Sequence, residues 1–409
     1  MRNRIAITGI GLITPVGRDL ASFSAQIQNG ISAIERRTYT LDGFPDLTLP
    51  VAPVDDFDPR WDLSNCKVKA WDRLSHFAIY AARQAVLDAN VTGLEIDALI
   101  LGSSTTSVET LDENYNRLLR GNGRISPMMI AKCMPNAPVS AVSMDLGIEG
   151  ISYAVASACS SANQAIINAA ALITSGAAKT ALAGGVEASL SYTNLSAWTA
   201  MHVLTQDTCR PFCATRSGLV MGEGSTVFVL EDWDHAKARG ATIYAELLGW
   251  GQSSDAKSLT TPDQGGIERA LGATLKHAQL DPSEINYINA HGTGTELNDV
   301  TEAKALNAVF GAMIETVQVS STKALHGHLL GAAGAIELAA TIAGLKGGFA
   351  PPNVGITEPD PEIKLNLSEP GNRSTIKAAL NASFALGGHN SVLAVGHSMA
   401  RAQSRANSL

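Results

Sequence analysis

Two rhythms of apolar and polar positions alternate along the chain. Short apolar runs closed by glycine or small polar residues predict buried strands, and longer stretches with apolar residues at helical spacing predict helices. Residues 4–9 (RIAITG) predict a short strand stopped by Gly11 and Pro15. Residues 72–90 predict an amphipathic helix with Asp72 at its start. DALIL at 97–101 predicts a strand, followed by the polar GSSTTS loop and another helix. Residues 151–157 predict a strand and 160–176 an Ala-rich helix, after which ALAGGVEA and TVFVLED (226–232) predict two more strands. The second part repeats the order: strands at 244–251 and 285–292, helices at 265–279 and 299–310, the strand VQVSSTK, an Ala/Leu-rich helix at 329–345, and a closing hairpin at 377–397.

Strands alternating with helices favour a layered α/β fold. The order also suggests a duplication. DALILGSSTTSVETLDE precedes VASACSSANQAIINAAALI in the first half, and INYINAHGTGTELNDVTE precedes VSSTKALHGHLLGAAGAIEL in the second. Each pair runs strand, small-polar loop, helix, then strand, turn, Ala-rich helix. Two similar halves, 1–243 and 244–409, are expected to meet face to face and to place their loops at a shared centre.

Composition narrows the class of protein. Apolar residues make up 45% and charged residues 17% of 409, which describes a folded domain and not a disordered chain. The net charge of −8 with no long basic run argues against a nucleic-acid partner. Five cysteines, an odd number without zinc spacing, point to reduced thiols and a cytoplasmic location. The N-terminal apolar stretch is interrupted by Gly9, Gly11 and Pro15 and lacks the form of a signal peptide. No apolar run approaches the roughly 20 residues of a membrane span.

Four segments can carry chemistry. SACSSANQ sets Cys159 between a strand and a helix N-terminus, where orphan N–H groups and the helix dipole favour a thiolate nucleophile; a packed, inert thiol is the alternative. HGTGT places His291 at a strand end, facing a cavity or simply holding a turn, with Thr293 and Thr295 able to bind a polar ligand arm. SSTKALHGHLLGAAGAIE carries Lys323, His328 and Glu337. Its HGH spacing lacks a carboxylate pattern, so no metal is expected. NASFALGGHN has paired glycines whose backbone N–H groups can form an oxyanion hole.

Taken in order, ACSS before a helix, HGTGT, and STK-x4-GH-x-LGAAG-x2-E resemble the β-ketoacyl-acyl carrier protein synthases of the I/II type, over essentially the whole chain. The resemblance implies an α/β thiolase-like fold of two duplicated layered halves (αβαβα). It also implies an acyltransferase that condenses malonyl-ACP with an acyl group held on Cys159, with loss of carbon dioxide. By position, His291 and His328 match the two decarboxylating histidines. Lys323 matches an electrostatic lysine and Glu337 its glutamate, with Asp299 and Glu302 as further carboxylates. The N–H groups of Cys159 and Leu386 match the oxyanion donors, beside Phe384. Thr293 and Thr295 match residues that grip a phosphopantetheine arm. That arm arrives on the acyl carrier protein, so no separate cofactor is implied. A homodimer or a ketosynthase heterodimer is implied, and the alternative role is a non-catalytic partner subunit that sets chain length. Such partners typically lose the nucleophile, and Cys159 is retained.

The gate loop departs from the family. Leu386 stands where a second Phe is usual, as in specialised synthases of the nodulation type, which points away from a housekeeping role. Leu111 and Met129 are the expected acyl-pocket residues. Lys67, Lys69, Arg73 and Arg124 are the expected carrier-docking cations.

Overall fold

The computed structural model describes residues 4–66, 70–121 and 123–397. In chain order its strands are β1 (Ile5–Ile13), β2 (Glu35–Tyr39), β3 (Leu47–Ala52), β4 (Ala98–Gly102), β5 (Ile151–Val155), β6 (Thr180–Glu187), β7 (Met221–Gly222), β8 (Gly224–Asp232), β9 (Ala245–Ser254), β10 (Tyr287–Asn289), β11 (Gln318–Ser320), β12 (Asn366–Leu367), β13 (Ala378–Ala385) and β14 (His389–Gly396). The principal helices are α1 (Arg73–Ala89), α2 (Val108–Leu119), α3 (Ala137–Leu146), α4 (Ser161–Thr174), α5 (Tyr192–Ala200), α6 (Gln264–Ala278), α7 (Glu296–Phe310) and α8 (Ala333–Gly347).

The sheet makes the duplication explicit. Its order is β12-β11-β10-β13-β14-β9-β1-β8-β6-β4-β5. From the β5 end, the first half runs parallel from β5 to β4 to β6, then antiparallel to β8 and β1. The second half repeats that pattern: β11, β10 and β13 are parallel, then β14 and β9 antiparallel. The halves join where Ile5–Ile7 of β1 pairs with Ala245–Leu247 of β9.

Three cores fill the spaces between layers. α4 and α8 are sandwiched between the two halves with Ile166, Ile173, Ile336 and Leu338 among the buried residues. α1 and α3 cover the outer face of the first half. α6 and α7 cover the outer face of the second. The result is the five-layered αβαβα arrangement. α8 is buried from Ala333 to Leu345, which is why its sequence carries no polar face.

Most expected elements stand within a few residues of their sequence bounds. α1 begins where Asp72 accepts from the Ser75 N–H, as expected of a cap. β1 differs: it does not stop at Gly11 but runs to Ile13. Its glycines are contact points with α1, since a Cβ on Gly9 would lie 2.3 Å from the Ala85 carbonyl oxygen and one on Gly11 1.9 Å from that of Ala81. The expected strand through Lys323 ends at Ser320, and Lys323–His326 form a helical turn. A small sheet of β2, β3 and β7, unforeseen from the sequence, packs beside Cys159 through Leu49, Val51 and Met221.

Gly102 closes β4 against the start of α4, where an added Cβ would sit 2.3 Å from the Ser161 carbonyl carbon. Gly102→Ala is expected to destabilise the protein by about 1–3 kcal/mol. Thermal or denaturant melting checks this; an unchanged midpoint would contradict the close crossing.

Candidate active site

Equivalent strand ends of the two halves converge on one cavity of about 350 Å³. Cys159 follows β5 on a tight turn, with the preceding Ala158 at φ 49°, a backbone conformation costly for a residue with a Cβ. The turn sets Sγ beside the first turn of α4. His291 follows β10, and His328 follows β11 by way of the Lys323–His326 turn.

The three side chains meet. His328 Nε2 lies 3.1 Å from Cys159 Sγ. The imidazole rings of His291 and His328 are 5.4 Å apart, edge to face. One ligand-type atom from each of Cys159, His291 and His328 falls within 4.8 Å of the others. These are metal-ligand types, yet the buried Lys323 ammonium, 3.5 Å from His291 Nδ1, opposes a cation.

The surroundings set the protonation states. Burial pushes the Cys159 thiol up to about 12, with Lys323 and the Leu386 backbone N–H opposing that rise. Burial, with Lys323 adding to it, holds His291 and His328 well below their ordinary value, so both rings are neutral at neutral pH. Lys323 also donates to the His291 carbonyl and is ion-paired with Glu337, every part of the pair being fully buried. Burial raises the Glu337 carboxyl and Lys323 counters it.

The HGTGT loop is held from behind by α7. Glu302 accepts from the His291 and Gly292 N–H groups at 2.7 Å each. Asp299 accepts from the Gly294 N–H at 3.2 Å and the Phe212 N–H at 2.8 Å. Burial pushes Glu302 up to about 7 despite those bonds. Thr293 and Thr295 line the cavity with hydroxyls 2.9 Å apart. Phe384 packs its ring 6.0 Å from that of His291, and Leu386 lines the cavity next to it.

Other expected site residues stand elsewhere. Leu111, on α2, and Met129 do not line this cavity; Trp198 and Met201, near the end of α5, form that wall with Val203 and Leu219. Nothing in the sequence pattern singled out α5. Arg73 is half-buried, its guanidinium donating to Glu223 at 2.6 and 2.9 Å and to the Val54 carbonyl at 2.6 Å. Arg124 is exposed. Lys67 and Lys69 lie outside the described residues. All five cysteines are unpaired.

His326, next to the cluster, is fully buried between the Gly327 carbonyl at 2.7 Å and the Thr322 hydroxyl at 3.0 Å. Burial lowers it from 6.5 to about 3. The native state therefore keeps this ring neutral while the unfolded chain takes up a proton below pH 6.5, so its contribution to stability is lost as pH falls through that window. Denaturant melts should show wild type losing about 1.4 kcal/mol per pH unit relative to His326→Gln between roughly pH 6 and 4; parallel curves would contradict this.

Comparisons with known proteins cover nearly the whole chain. Residues 2–236 match the family model "Beta-ketoacyl synthase, N-terminal domain" and residues 244–357 the model "Beta-ketoacyl synthase, C-terminal domain". "Nodulation protein E" of Rhizobium sp. (strain N33) is 39% identical over 404 residues, 96% of this chain and 99% of that protein. "3-oxoacyl-[acyl-carrier-protein] synthase 2" of Synechocystis sp. is 36% identical over 410 residues, 96% of this chain and 98% of that protein. Among solved structures, the ishigamide ketosynthase/chain length factor superposes with a TM-score of 0.91 at 31% identity, covering 97% of this chain and 100% of that one. A type II PKS ketosynthase in complex with its acyl-carrier protein gives 0.86 at 27%, with coverage of 97% and 100%.

Proposed function

The chain belongs to the β-ketoacyl synthase family, and from that premise we propose how its residues carry out the condensation. The protein is a β-ketoacyl-ACP synthase: it joins malonyl-ACP to an enzyme-bound acyl group with loss of carbon dioxide, in fatty acid or polyketide chain elongation. Its partners are an acyl carrier protein and a second ketosynthase-type subunit. The single observation that carries the residue assignment is the convergence of Cys159 Sγ with the two neutral imidazoles of His291 and His328.

Cys159 attacks the acyl-ACP thioester. The thiol proton passes to the departing pantetheine sulfur as its bond to the acyl carbon breaks, the acyl group is left on Sγ, and His328 Nε2 keeps its own proton. Malonyl-ACP then enters the same cavity, its pantetheine arm running past Thr293 and Thr295. Breaking the carboxylate bond releases carbon dioxide and leaves the electron pair as an enolate. His291 and His328 stabilise that oxygen as neutral N–H donors where charge develops. The Lys323 ammonium beside Nδ1 of His291 directs that ring's proton to Nε2. The enolate carbon attacks the acyl carbonyl on Cys159, and the N–H groups of Cys159 and Leu386 receive the second oxyanion. Collapse expels the Cys159 thiolate, which takes up one proton from solvent to restore the thiol.

No helix among the described residues is long and apolar enough to cross a membrane. The five unpaired thiols support a cytoplasmic location. β5 ends the sheet with Ile151 and Tyr153 exposed, an open edge suited to the second subunit.

Cys159→Ala should keep the fold but lose condensation altogether, assayed by mass spectrometry of carrier-bound products; elongation by this variant would refute the nucleophile. His291→Ala and His328→Ala should still be acylated but lose malonyl-ACP decarboxylation by about 100- to 1,000-fold. Leu386→Phe should narrow the range of accepted acyl-ACP primers. An unchanged primer profile would remove the gate role.

A further inference from the structure

The sheet's internal symmetry exposes a buried carboxylate outside the machinery described above. β6 and β13 occupy the same place in the two halves, as do β5 and β11. Past the end of β13, the Leu386 N–H reaches across to Cys159, on the turn after β5. At the end of β6, Glu187 reaches across in the opposite sense. Its carboxylate accepts from the Gly331 N–H at 2.9 Å, three residues beyond His328.

Glu187 is fully buried and accepts four more bonds from its own half. The donors are the Ser104 N–H at 3.0 Å, the Ser104 hydroxyl at 2.5 Å, the Ser189 hydroxyl at 2.8 Å and the Thr105 hydroxyl. Glu223, Glu231, Glu246 and Glu337 each pair with an Arg or Lys. Glu187, like Glu302 behind the HGTGT loop, is held by neutral donors in place of a cation. An anion buried without a cation is costly, and a packed apolar side chain would remove that cost.

The turn it holds is under strain. Leu330 sits at φ 41°, in the left-handed region that side chains with a Cβ avoid. Gly331 is pressed so close to the Ser104 loop that a Cβ there would lie 2.2 Å from the Ser104 nitrogen. On its other side His328 is tied to the small sheet: its N–H donates to the Val220 carbonyl at 2.7 Å, and its carbonyl accepts from the Gly222 N–H at 3.0 Å. His328 is thus held between two anchors, of which Glu187 is the one from the strand ends around Cys159.

We propose that Glu187 is a positioning residue for the condensation: it fastens the Leu329–Ala332 turn to the Ser103–Thr105 loop and thereby sets where His328 stands against Cys159. The inference rests on the decarboxylating role assigned to His328. Glu187 also acts on the nucleophile through space, because its charge is one of those that push the Cys159 thiol up, with Glu337 adding to it and Lys323 opposing.

The two effects have opposite signs, and that separates positioning from simple loss of structure. Glu187→Gln keeps the shape, removes the charge and turns an amide N–H₂ toward N–H and O–H donors. Steady-state decarboxylation of malonyl-ACP should show kcat falling about 10- to 100-fold with KM within about twofold. Alkylation of Cys159 by iodoacetamide at fixed pH should become faster. Thr105→Val, nearly isosteric and lacking only the hydroxyl bond, should lower the same kcat by a smaller factor and decides the matter if Glu187→Gln does not fold. The proposal is overturned if folded variants decarboxylate at the wild-type rate, or if decarboxylation and alkylation fall together. Wild-type enzyme that does not decarboxylate malonyl-ACP at all would instead refute the condensing reading.

Discussion

The close packing of two Ala-rich helices, α4 and α8, between the two halves of the sheet governs everything else in this molecule. Small residues make it possible. A Cβ on Gly334 would lie 2.4 Å from Asn163 Oδ1, and one on Gly185 would lie 2.8 Å from the Ala332 Cα. Because α4 starts just after Cys159 and α8 just after His328, bringing the helices together brings those two side chains to 3.1 Å. The site is therefore a consequence of how the layers stack. The polar seam between the helices is closed by Asn163 and Asn381, whose amides pair at 3.1 Å.

Burial within this seam also sets the chemistry. Removal from water keeps the histidines neutral, which suits them as N–H donors to a developing enolate. The same desolvation disfavours a free Cys159 thiolate. The proton must then leave as the acyl group arrives, going to the departing pantetheine sulfur, while His328 Nε2, 3.1 Å from Sγ, remains an N–H donor. Lys323 and Glu337 supply a fixed buried dipole behind His291 without exposing either charge to solvent.

Much of this was legible in the sequence because strand-loop-helix units repeat in order. The apolar runs of β4 and β10, and of β5 and β11, with the small-polar loops after them, could be aligned by pattern alone. Cys159, His291 and His328 stand at turns whose neighbours are too small to hide them. What could not be read depends on contacts between distant segments. Gly9 and Gly11 look like strand breakers until α1 is laid across them. Trp198 joins the cavity wall because α5 packs on the small sheet through Leu195, while Leu111 and Met129 are not among the residues lining that cavity. Arg73 looks like a surface cation, yet its partner Glu223 is 150 residues away. Glu187 gives little signal in its own segment, since four of its five donors, all but the Ser189 hydroxyl, come from loops whose meeting requires the finished fold.

The central claim is that one half supplies the thiol and the other the imidazoles of a single condensing site. Peptide-resolved mass spectrometry of wild-type enzyme, first loaded with acyl-ACP and then given malonyl-ACP, tests it most directly. The account predicts an acyl adduct on the Cys159 peptide that disappears as a β-ketoacyl-ACP two carbons longer than the primer is formed. An adduct on any other residue, or one on Cys159 that malonyl-ACP fails to discharge, would contradict it.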